Sequence, residues 1–231
     1  MSKDKFSFYK EHPKTCAPDD YWGQVKRTVN GVPVSQDQID MIVDAVVVGL
    51  ELTEEDTLLD LCCGNGALST LFFKFCNGGL GVDFSEHLIS VAIENFIDSP
   101  AVSYELHDVV DFCKNPVGLD KFSKMVCYGS FSYLEPNRAE ELLRLLKSNF
   151  PKLQRVFIGN CPDKNLLTNF FSGREVVPGI ENDPDSPIGV WRTQKDFVLL
   201  AKRFGWQASF RKMPAQYYSS HYRYDVVLSH E

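Results

Sequence analysis

The sequence predicts an α/β fold: a seven-stranded, mostly parallel sheet with helices on both faces and a C-terminal antiparallel β-hairpin. Between residues 57 and 160, short apolar strands alternate with helical patterns, and such alternation builds right-handed βαβ units and a parallel sheet. Two more strand-like segments follow with a short link and no helix between them, which favours a hairpin. The 231 residues, 44% of them hydrophobic, suit one soluble domain.

The five strands of the parallel part share apolar character and short length, and they are predicted at residues 57–61, 79–83, 102–106, 122–128 and 156–159. A capping-box pattern at Ser35 and Gln38 starts a helix over residues 35–50. A second helix is predicted from Gly64 to Phe75, and Ser85 caps a third. Pro136 stands where a proline suits the first turn of a fourth helix.

In the C-terminal third, the alternation of short strands and helices ends. Residues 161–192 form a long connection rich in Pro, Gly, Asn and Asp. Thr193 then caps a helix that Gly205 ends. Strands at residues 207–211 and 222–228 complete the sheet as the hairpin.

Composition excludes several classes of protein. The net charge of −7 argues against broad electrostatic binding to nucleic acid. The longest apolar stretch, residues 41–52, is too short to span a bilayer, and the N-terminus has no apolar core of a secretory signal. Seven scattered cysteines show no zinc-ligand spacing, so we expect no metal site and a reducing, cytoplasmic location.

The glycine-containing turn at residues 57–69 (TLLDLCCGNGALS) is the leading candidate site, because ligands of parallel sheets bind beyond the carboxyl ends of strands. A dinucleotide fingerprint would need a glycine at position 69, which is Ser69. A phosphate loop would need a Gly-Lys-Ser/Thr that is absent. A thiol site has little support, since neither Cys62 nor Cys63 has a nearby histidine in the sequence.

Residues 60–66 (DLCCGNG) resemble the first motif of class I S-adenosylmethionine-dependent methyltransferases, with Cys62 standing where glycine is commonest. Residues 81–85 (GVDFS) resemble the second motif, whose acid bonds both ribose hydroxyls, here Asp83. Residues 107–109 (HDV) resemble the third, whose acid accepts from the adenine amino group. Residues 128–131 (YGSF) occupy the place of the fourth, which faces the methyl group.

The resemblance implies S-adenosylmethionine as the cofactor. The cofactor-binding residues that it implies at matching positions are Asp60, Cys62, Gly64, Asn65, Gly66, Asp83, Phe84, Asp108, Val109 and Tyr128. Residues 21–28 (YWGQVKRT) and 221–225 (HYRYD) are similar to stand-alone bacterial methyltransferases encoded with surface-polysaccharide or natural-product genes. Trp22, Gln24 and Arg27 of the first segment therefore join the cofactor-binding set.

One methyltransferase domain is expected over residues 1–231, with an N-terminal lid and helix at 1–50, a cofactor-binding half at 51–160 and a substrate half at 161–231. The fourth motif lacks the Asn/Asp-Pro-Pro-Tyr/Phe tetrapeptide of enzymes that methylate nucleic-acid amino groups. An oxygen or nitrogen of a small molecule or saccharide is therefore the expected acceptor. A protein- or RNA-directed enzyme and a non-catalytic cofactor-binding scaffold stay open, and the oligomeric state is not indicated.

Three residues are predicted to act on the acceptor. His221 is the candidate general base, because a histidine changes protonation state near neutral pH and this one precedes the last strand. Tyr128 and Tyr133 are predicted to orient the acceptor. A base is needed only when the nucleophile must lose a proton.

Overall fold

The computed structural model describes residues 5–115, 118–172 and 174–230. A two-stranded hairpin, β1 and β2, precedes a seven-stranded main sheet. The strands are β1 (Thr28–Val29), β2 (Val32–Pro33), β3 (Leu58–Leu61), β4 (Gly79–Asp83), β5 (Val102–Leu106), β6 (Lys124–Tyr128), β7 (Arg155–Pro162), β8 (Trp206–Arg211) and β9 (Arg223–His230).

The main sheet has the strand order β5-β4-β3-β6-β7-β9-β8. Strands β3 to β7 run parallel, whereas β9 pairs antiparallel with both β7 and β8. The predicted fold class is confirmed, including the C-terminal antiparallel hairpin. The order reverses at β3, since the chain moves outward to β4 and β5 and then returns to the other side of β3 at β6.

Helices cover both faces of the sheet. They are α1 (Lys5–Glu11), α2 (Tyr21–Gln24), α3 (Gln36–Leu50), α4 (Ser69–Phe73), α5 (Glu86–Asn95), α6 (Val109–Lys114), α7 (Pro136–Asn149), α8 (Leu167–Phe170) and α9 (Gln194–Lys202). None of the helices described is long and apolar enough to cross a membrane.

Successive side chains of each strand point to opposite faces of the sheet, so the core has two layers. On β3, Leu58 packs with apolar residues of α3, α4 and α5. Its neighbour Leu59 packs with those of α6, α7 and α9 on the opposite face. Both leucines are fully buried, as expected for a sheet that helices cover on both sides.

The helix after β3 begins later than predicted. It was expected from Gly64, but α4 begins at Ser69. The reason is backbone conformation: Cys62, Gly64 and Gly66 have φ of 63°, 60° and 78°. Left-handed residues cannot continue a right-handed helix, so residues 62–68 form a turn at the sheet edge instead of the first turns of the helix.

The capping box predicted at Ser35 is also wrong. Ser35 occupies the N-cap position of α3, yet its side chain makes no capping hydrogen bond. The Gln38 side chain turns instead to the segment before β9, where it accepts from the Tyr218 N–H at 2.8 Å and donates to the Gln216 carbonyl at 3.2 Å. A tertiary contact has thus replaced the local one. At Thr193, by contrast, the capping box with Asp196 forms as the helix-start pattern implies.

Candidate functional site

The candidate site lies where the strand order reverses. Asp60 on β3 lies opposite Gly81 on β4 and Val126 on β6. Asp83 ends β4 and Tyr128 ends β6, so the carboxyl ends of three adjacent parallel strands bring these side chains to one edge. Such a crevice is the usual ligand site of open α/β sheets.

The glycine turn packs so closely that side chains would not fit. A Cβ at Gly66 would lie 2.8 Å from Tyr104 Cζ and 3.0 Å from Ala92 Cβ, in addition to the positive φ. A Cβ at Gly64 would meet Val25 Cγ1 at 2.8 Å. The turn therefore needs glycine at both positions for conformation and for contact.

Asp83 connects β4 to the glycine turn. Its Oδ2 accepts from the Gly64 N–H at 3.0 Å, and its Oδ1 accepts from the Ser85 N–H at 2.9 Å. Burial raises the pKa of Asp83 to about 6, and these backbone donors counteract the rise. A carboxylate oxygen accepts more than one hydrogen bond, so the group retains capacity for two vicinal hydroxyls.

Asp60 is a second buried carboxyl beneath the turn. Its Oδ2 accepts from Ser69 Oγ at 2.6 Å. Burial raises the pKa of Asp60 to about 7, while Ser69 and the positive charge of Arg27 favour the ionised form. Two carboxyls with raised pKa values at one edge of the sheet are typical of a functional site.

An N-terminal segment, residues 17–27, lies over the glycine turn. The Asn65 Nδ2 donates to the Tyr21 carbonyl at 2.8 Å and to Gln24 Oε1 at 2.9 Å. Gln24 in turn donates to the carbonyl oxygens of Ala17 and Pro18. The buried Gln24 thus ties the segment together and holds it against the turn.

Arg27 brings a cation to the same place. Its guanidinium carbon lies 5.2 Å from the Tyr128 ring centroid and 5.9 Å from that of Trp22. The Arg27 Nε is buried and has no hydrogen-bond partner among the residues that the structure describes. An orphaned donor on a cation beside Asp60 fits a ligand with an anionic end, such as the amino-acid carboxylate of S-adenosylmethionine.

The third-motif residues are held by their own helix. Asp108 caps α6, since its Oδ1 accepts from the N–H groups of Val110 and Asp111, and it pairs with Arg138. Val109 is buried in the first turn of α6.

Phe84 of the second motif follows Asp83, and Lys10 Nζ lies 5.7 Å from the centroid of the Phe84 ring.

Cys62 and Cys63 are unreactive in character. A hydrogen bond with Cys127 and burial raise the pKa of the Cys62 thiol well above its usual range. Burial does the same to the pKa of Cys63. A thiol that stays protonated is a poor nucleophile.

In the described part of the chain, no group of three or more His, Cys, Asp or Glu side chains could hold a metal ion.

The acceptor-side candidates lie along the same edge but not in one cluster. The Tyr128 hydroxyl is 2.9 Å from that of Tyr217. Tyr133 donates to the Pro187 carbonyl at 2.8 Å and packs on the Tyr9 ring. His221 is exposed, with its ring 4.8 Å from that of Tyr222.

A buried polar network next to these tyrosines was missed by sequence reasoning. A register shift between β7 and β9 occurs near Asn160, whose φ is 62°. The Asn160 N–H donates to Asp225 Oδ1, its Oδ1 accepts from Ser219 Oγ, and its carbonyl accepts from Arg223. The β-bulge that gathers these side chains leaves no recognisable sequence pattern.

The family comparison agrees with this geometry. The family model described as a methyltransferase domain matches residues 58–149, which include β3 to β6 and the glycine turn. This part of the chain is similar to methyltransferase domains. The matched residues include Asp60, Asp83 and the four motifs at residues 60–66, 81–85, 107–109 and 128–131, but not Trp22, Gln24 and Arg27. S-adenosylmethionine is the cofactor of this methyltransferase family.

Solved structures share the fold of the methyltransferase domain. Magnesium protoporphyrin IX methyltransferase from Synechocystis PCC 6803 with bound SAM is 14% identical, with a TM-score of 0.62 over 99% of this chain and 98% of that one. An S-adenosylmethionine-dependent methyltransferase from Clostridium acetobutylicum ATCC 824 is 14% identical, with a TM-score of 0.62 over 89% and 96%. The DhpI-SAM-HEP complex is 14% identical, with a TM-score of 0.64 over 98% and 96%. No curated protein matches the sequence significantly.

Proposed function

We propose that the protein transfers the methyl group of S-adenosylmethionine to an oxygen or nitrogen of a small molecule or saccharide. The observation that carries the proposal is the Asp83 carboxylate, which ends β4, holds the Gly64 N–H and lies beside the buried Asp60. A buried carboxylate at the carboxyl end of the strand next to a glycine turn suits the two hydroxyls of a ribose.

Named residues have distinct roles in holding the cofactor. Asp83 accepts from the ribose, Asp60 and Arg27 meet the charged amino-acid end, and Asp108, Val109 and Phe84 border the adenine. Gly64, Asn65 and Gly66 shape the turn, with Cys62 lining it. Trp22, Gln24 and Tyr128 enclose the ligand. When bound, S-adenosylmethionine supplies an electrophilic methyl group on a sulfonium.

On the acceptor side, we assign orientation to Tyr128 and Tyr133 and proton removal to His221. The base is required only for a neutral acceptor that loses a proton. The assignment keeps residues 1–50 as the covering segment, 51–160 as the cofactor half and 161–231 as the substrate half of one domain. Alignment of the two reactants in a covered site supplies much of the rate enhancement, on the order of 7–11 kcal/mol at best.

A small acceptor is favoured by the way residues 17–27 lie over the site. The hydrogen bonds of Gln24 and Asn65 place this segment against the glycine turn, so that it covers this part of the site. The net charge of −7 also disfavours a nucleic-acid acceptor. All seven cysteines are free thiols, as suits a cytoplasmic protein.

A transfer assay tests the proposal. Purified protein and S-adenosylmethionine carrying a labelled methyl group are incubated with a cell extract that has been separated into small molecules and macromolecules. We expect label in the small-molecule fraction and its loss with Asp83→Asn. Label confined to protein or RNA would instead favour the macromolecule-directed alternative. Cofactor binding without transfer to either fraction would favour a non-catalytic scaffold.

A further inference from the structure

A buried arginine outside the cofactor site has no counter-ion in contact with it in the described part of the chain. Arg223 begins β9 and is only 9% exposed. Its guanidinium donates to the Asn160 carbonyl, while its Nε is buried and has no hydrogen-bond partner in residues 5–115, 118–172 and 174–230. Among the described residues, no carboxylate oxygen lies within 4.0 Å of this guanidinium. A buried cation in this state is costly unless something pairs with it.

The surroundings of Arg223 are mainly phenols. Its guanidinium carbon lies 4.8 Å from the Tyr222 ring centroid, and Tyr9, Tyr133 and Tyr218 lie within range of its charge. Phenols are neutral near pH 7, so a phenol oxygen accepts a hydrogen bond from the guanidinium without cancelling the charge of the arginine.

Asp225, two residues along β9, is a buried acid whose pKa is affected by the charge of Arg223. The positive charge lowers the pKa of Asp225, but burial outweighs it and raises the value to about 6. Asp225 Oδ1 is engaged by the Asn160 N–H, and its Oδ2 is buried without a partner. The arginine and the carboxylate thus share a network through Asn160 without forming a close ion pair, and the Arg223 Nε stays without a partner among the described residues.

The position of this arginine suits an acceptor. In register, Arg223 lies opposite Pro162 at the carboxyl end of β7, and β7 pairs with β6, which ends at Tyr128. Tyr128 is joined to Tyr217 by their hydroxyls, and the Tyr217 ring packs 4.5 Å from Tyr218. Tyr9, Tyr133 and Tyr218 are each only partly buried, so the tyrosine cluster reaches solvent on that side.

We propose that Arg223 binds an anionic group of the methyl acceptor, a carboxylate or a phosphoryl group, with the tyrosine cluster (Tyr9, Tyr133, Tyr218 and Tyr222) surrounding the rest of the molecule. Guanidinium groups recognise both anions through charge-assisted hydrogen bonds. Aromatic walls suit an acceptor with a flat ring or a sugar attached to the anion. That the ligand is a methyl acceptor rests on the proposed function, but its anionic character does not.

Calorimetric titration of the intact protein tests this site. The probes are 4-hydroxybenzoate, its neutral counterpart 4-hydroxybenzamide, and inorganic phosphate, each added with and without saturating S-adenosylhomocysteine. We expect one of the anions to bind at least about tenfold more tightly than the amide. A preference for phosphate over the benzoate indicates a phosphoryl acceptor, and the reverse indicates a carboxylate.

Variants assign the preference to the arginine. Arg223→Met should abolish the preference for the anion over the amide, and Arg223→Lys should keep part of that preference. Arg203→Met should leave the preference unchanged, since Arg203 is an exposed arginine paired with Glu140. Equal binding of benzoate and benzamide with no binding of phosphate by the wild type would overturn the proposal. So would an undiminished preference in Arg223→Met. The comparison of benzoate with benzamide needs no variant, so a folding defect in Arg223→Met would not remove the test.

The same titrations separate this inference from the proposed function. S-adenosylhomocysteine binding is measured for each variant and should be unchanged in Arg223→Met. Cofactor binding without an anion preference overturns only the role of Arg223. An anion preference in a protein that binds no cofactor overturns the methyltransferase function and leaves an anion site.

Discussion

The Asn65 side chain of the glycine turn donates a 2.9 Å hydrogen bond to Gln24 Oε1 in the N-terminal segment. Both side chains are buried. A buried amide that lacks its hydrogen-bond partner lowers the stability of the folded state, because water cannot replace the missing hydrogen bond. The pair therefore makes the position of residues 17–27 dependent on the conformation of the turn that is proposed to hold the cofactor.

Gln24→Ala should loosen the N-terminal segment. The substitution removes three bonds, two of them to the Ala17 and Pro18 carbonyls, and leaves an Asn65 donor with one acceptor fewer. We expect a loss of about 1–3 kcal/mol in the free energy of unfolding and faster proteolysis within residues 17–27. Gln36→Ala is the matched control, since that exposed glutamine bonds only Asp40 among the contacts described. Equal protease sensitivity of the two variants would contradict the role given to Gln24.

Gly66→Ala should destabilise the turn more than a glycine replacement elsewhere with the same backbone conformation. At Gly66 the new Cβ meets Tyr104 and Ala92 in addition to the positive φ. At Gly31, with φ of 79°, nothing lies within 4 Å of such a Cβ. Gly31→Ala should cost about 1–2 kcal/mol for the left-handed conformation, and Gly66→Ala should cost about 1–3 kcal/mol more for overpacking. Chemical denaturation compares them, and similar losses would show that the close contact does not matter.

Asp60→Asn should change how stability depends on pH. Because burial raises the pKa of Asp60 to about 7, above its ordinary value near 4, the folded wild type holds a proton there that the unfolded chain has released. Its stability contribution is therefore present at low pH and declines as pH rises through about 7. Asparagine carries no such proton. We expect the variant to gain about 2–3 kcal/mol relative to the wild type between pH 5 and pH 8.

Denaturation curves at pH 5, 6, 7 and 8 measure that difference. The Asp83 and Asp225 carboxyls, whose pKa values burial raises to about 6, remain in both proteins and give a shared slope at lower pH. Asp111→Asn serves as a control on an exposed acid, whose pKa Lys114 lowers. A constant gap between the Asp60→Asn variant and the wild type at all four pH values would contradict a protonated Asp60.

His221→Gln tests the general-base assignment. If the acceptor must lose a proton, kcat should fall by about 10²–10⁴, while affinity for S-adenosylhomocysteine stays the same. His87→Gln on α5 is the control histidine. An unchanged kcat would remove His221 from the mechanism, and it is the outcome expected for an acceptor carboxylate that is already ionised.

The order of strands and helices in the cofactor half could be predicted because its signals are local. Apolar runs mark the strands, and Pro136 marks a helix start that the structure contains. Outside this half, Thr193 marks another. The helix start at Ser69 was missed because positive φ at Cys62 cannot be anticipated from a residue type that seldom adopts it. No bounds were predicted for the helix α6, which is short and follows its cap Asp108.

The acceptor side was less predictable, since it depends on tertiary contacts. Gln38 bonds residues almost 180 positions away rather than its own helix end. The network of Asn160, Arg223 and Asp225 depends on a bulge between strands that are far apart in sequence. Sequence periodicity carries no information about either set of contacts. The motifs therefore predicted the glycine turn but not the tertiary contacts of the acceptor side.

Calorimetric titration with S-adenosylhomocysteine at pH 7.5 tests the central claim most directly. We predict one site with micromolar affinity in the wild type, weakened at least about tenfold by Asp83→Asn, which loses the charge-assisted bonds to the ribose. Asp111→Asn should match the wild type. No heat of binding with either S-adenosylhomocysteine or S-adenosylmethionine, or equal affinity in Asp83→Asn, would contradict the account.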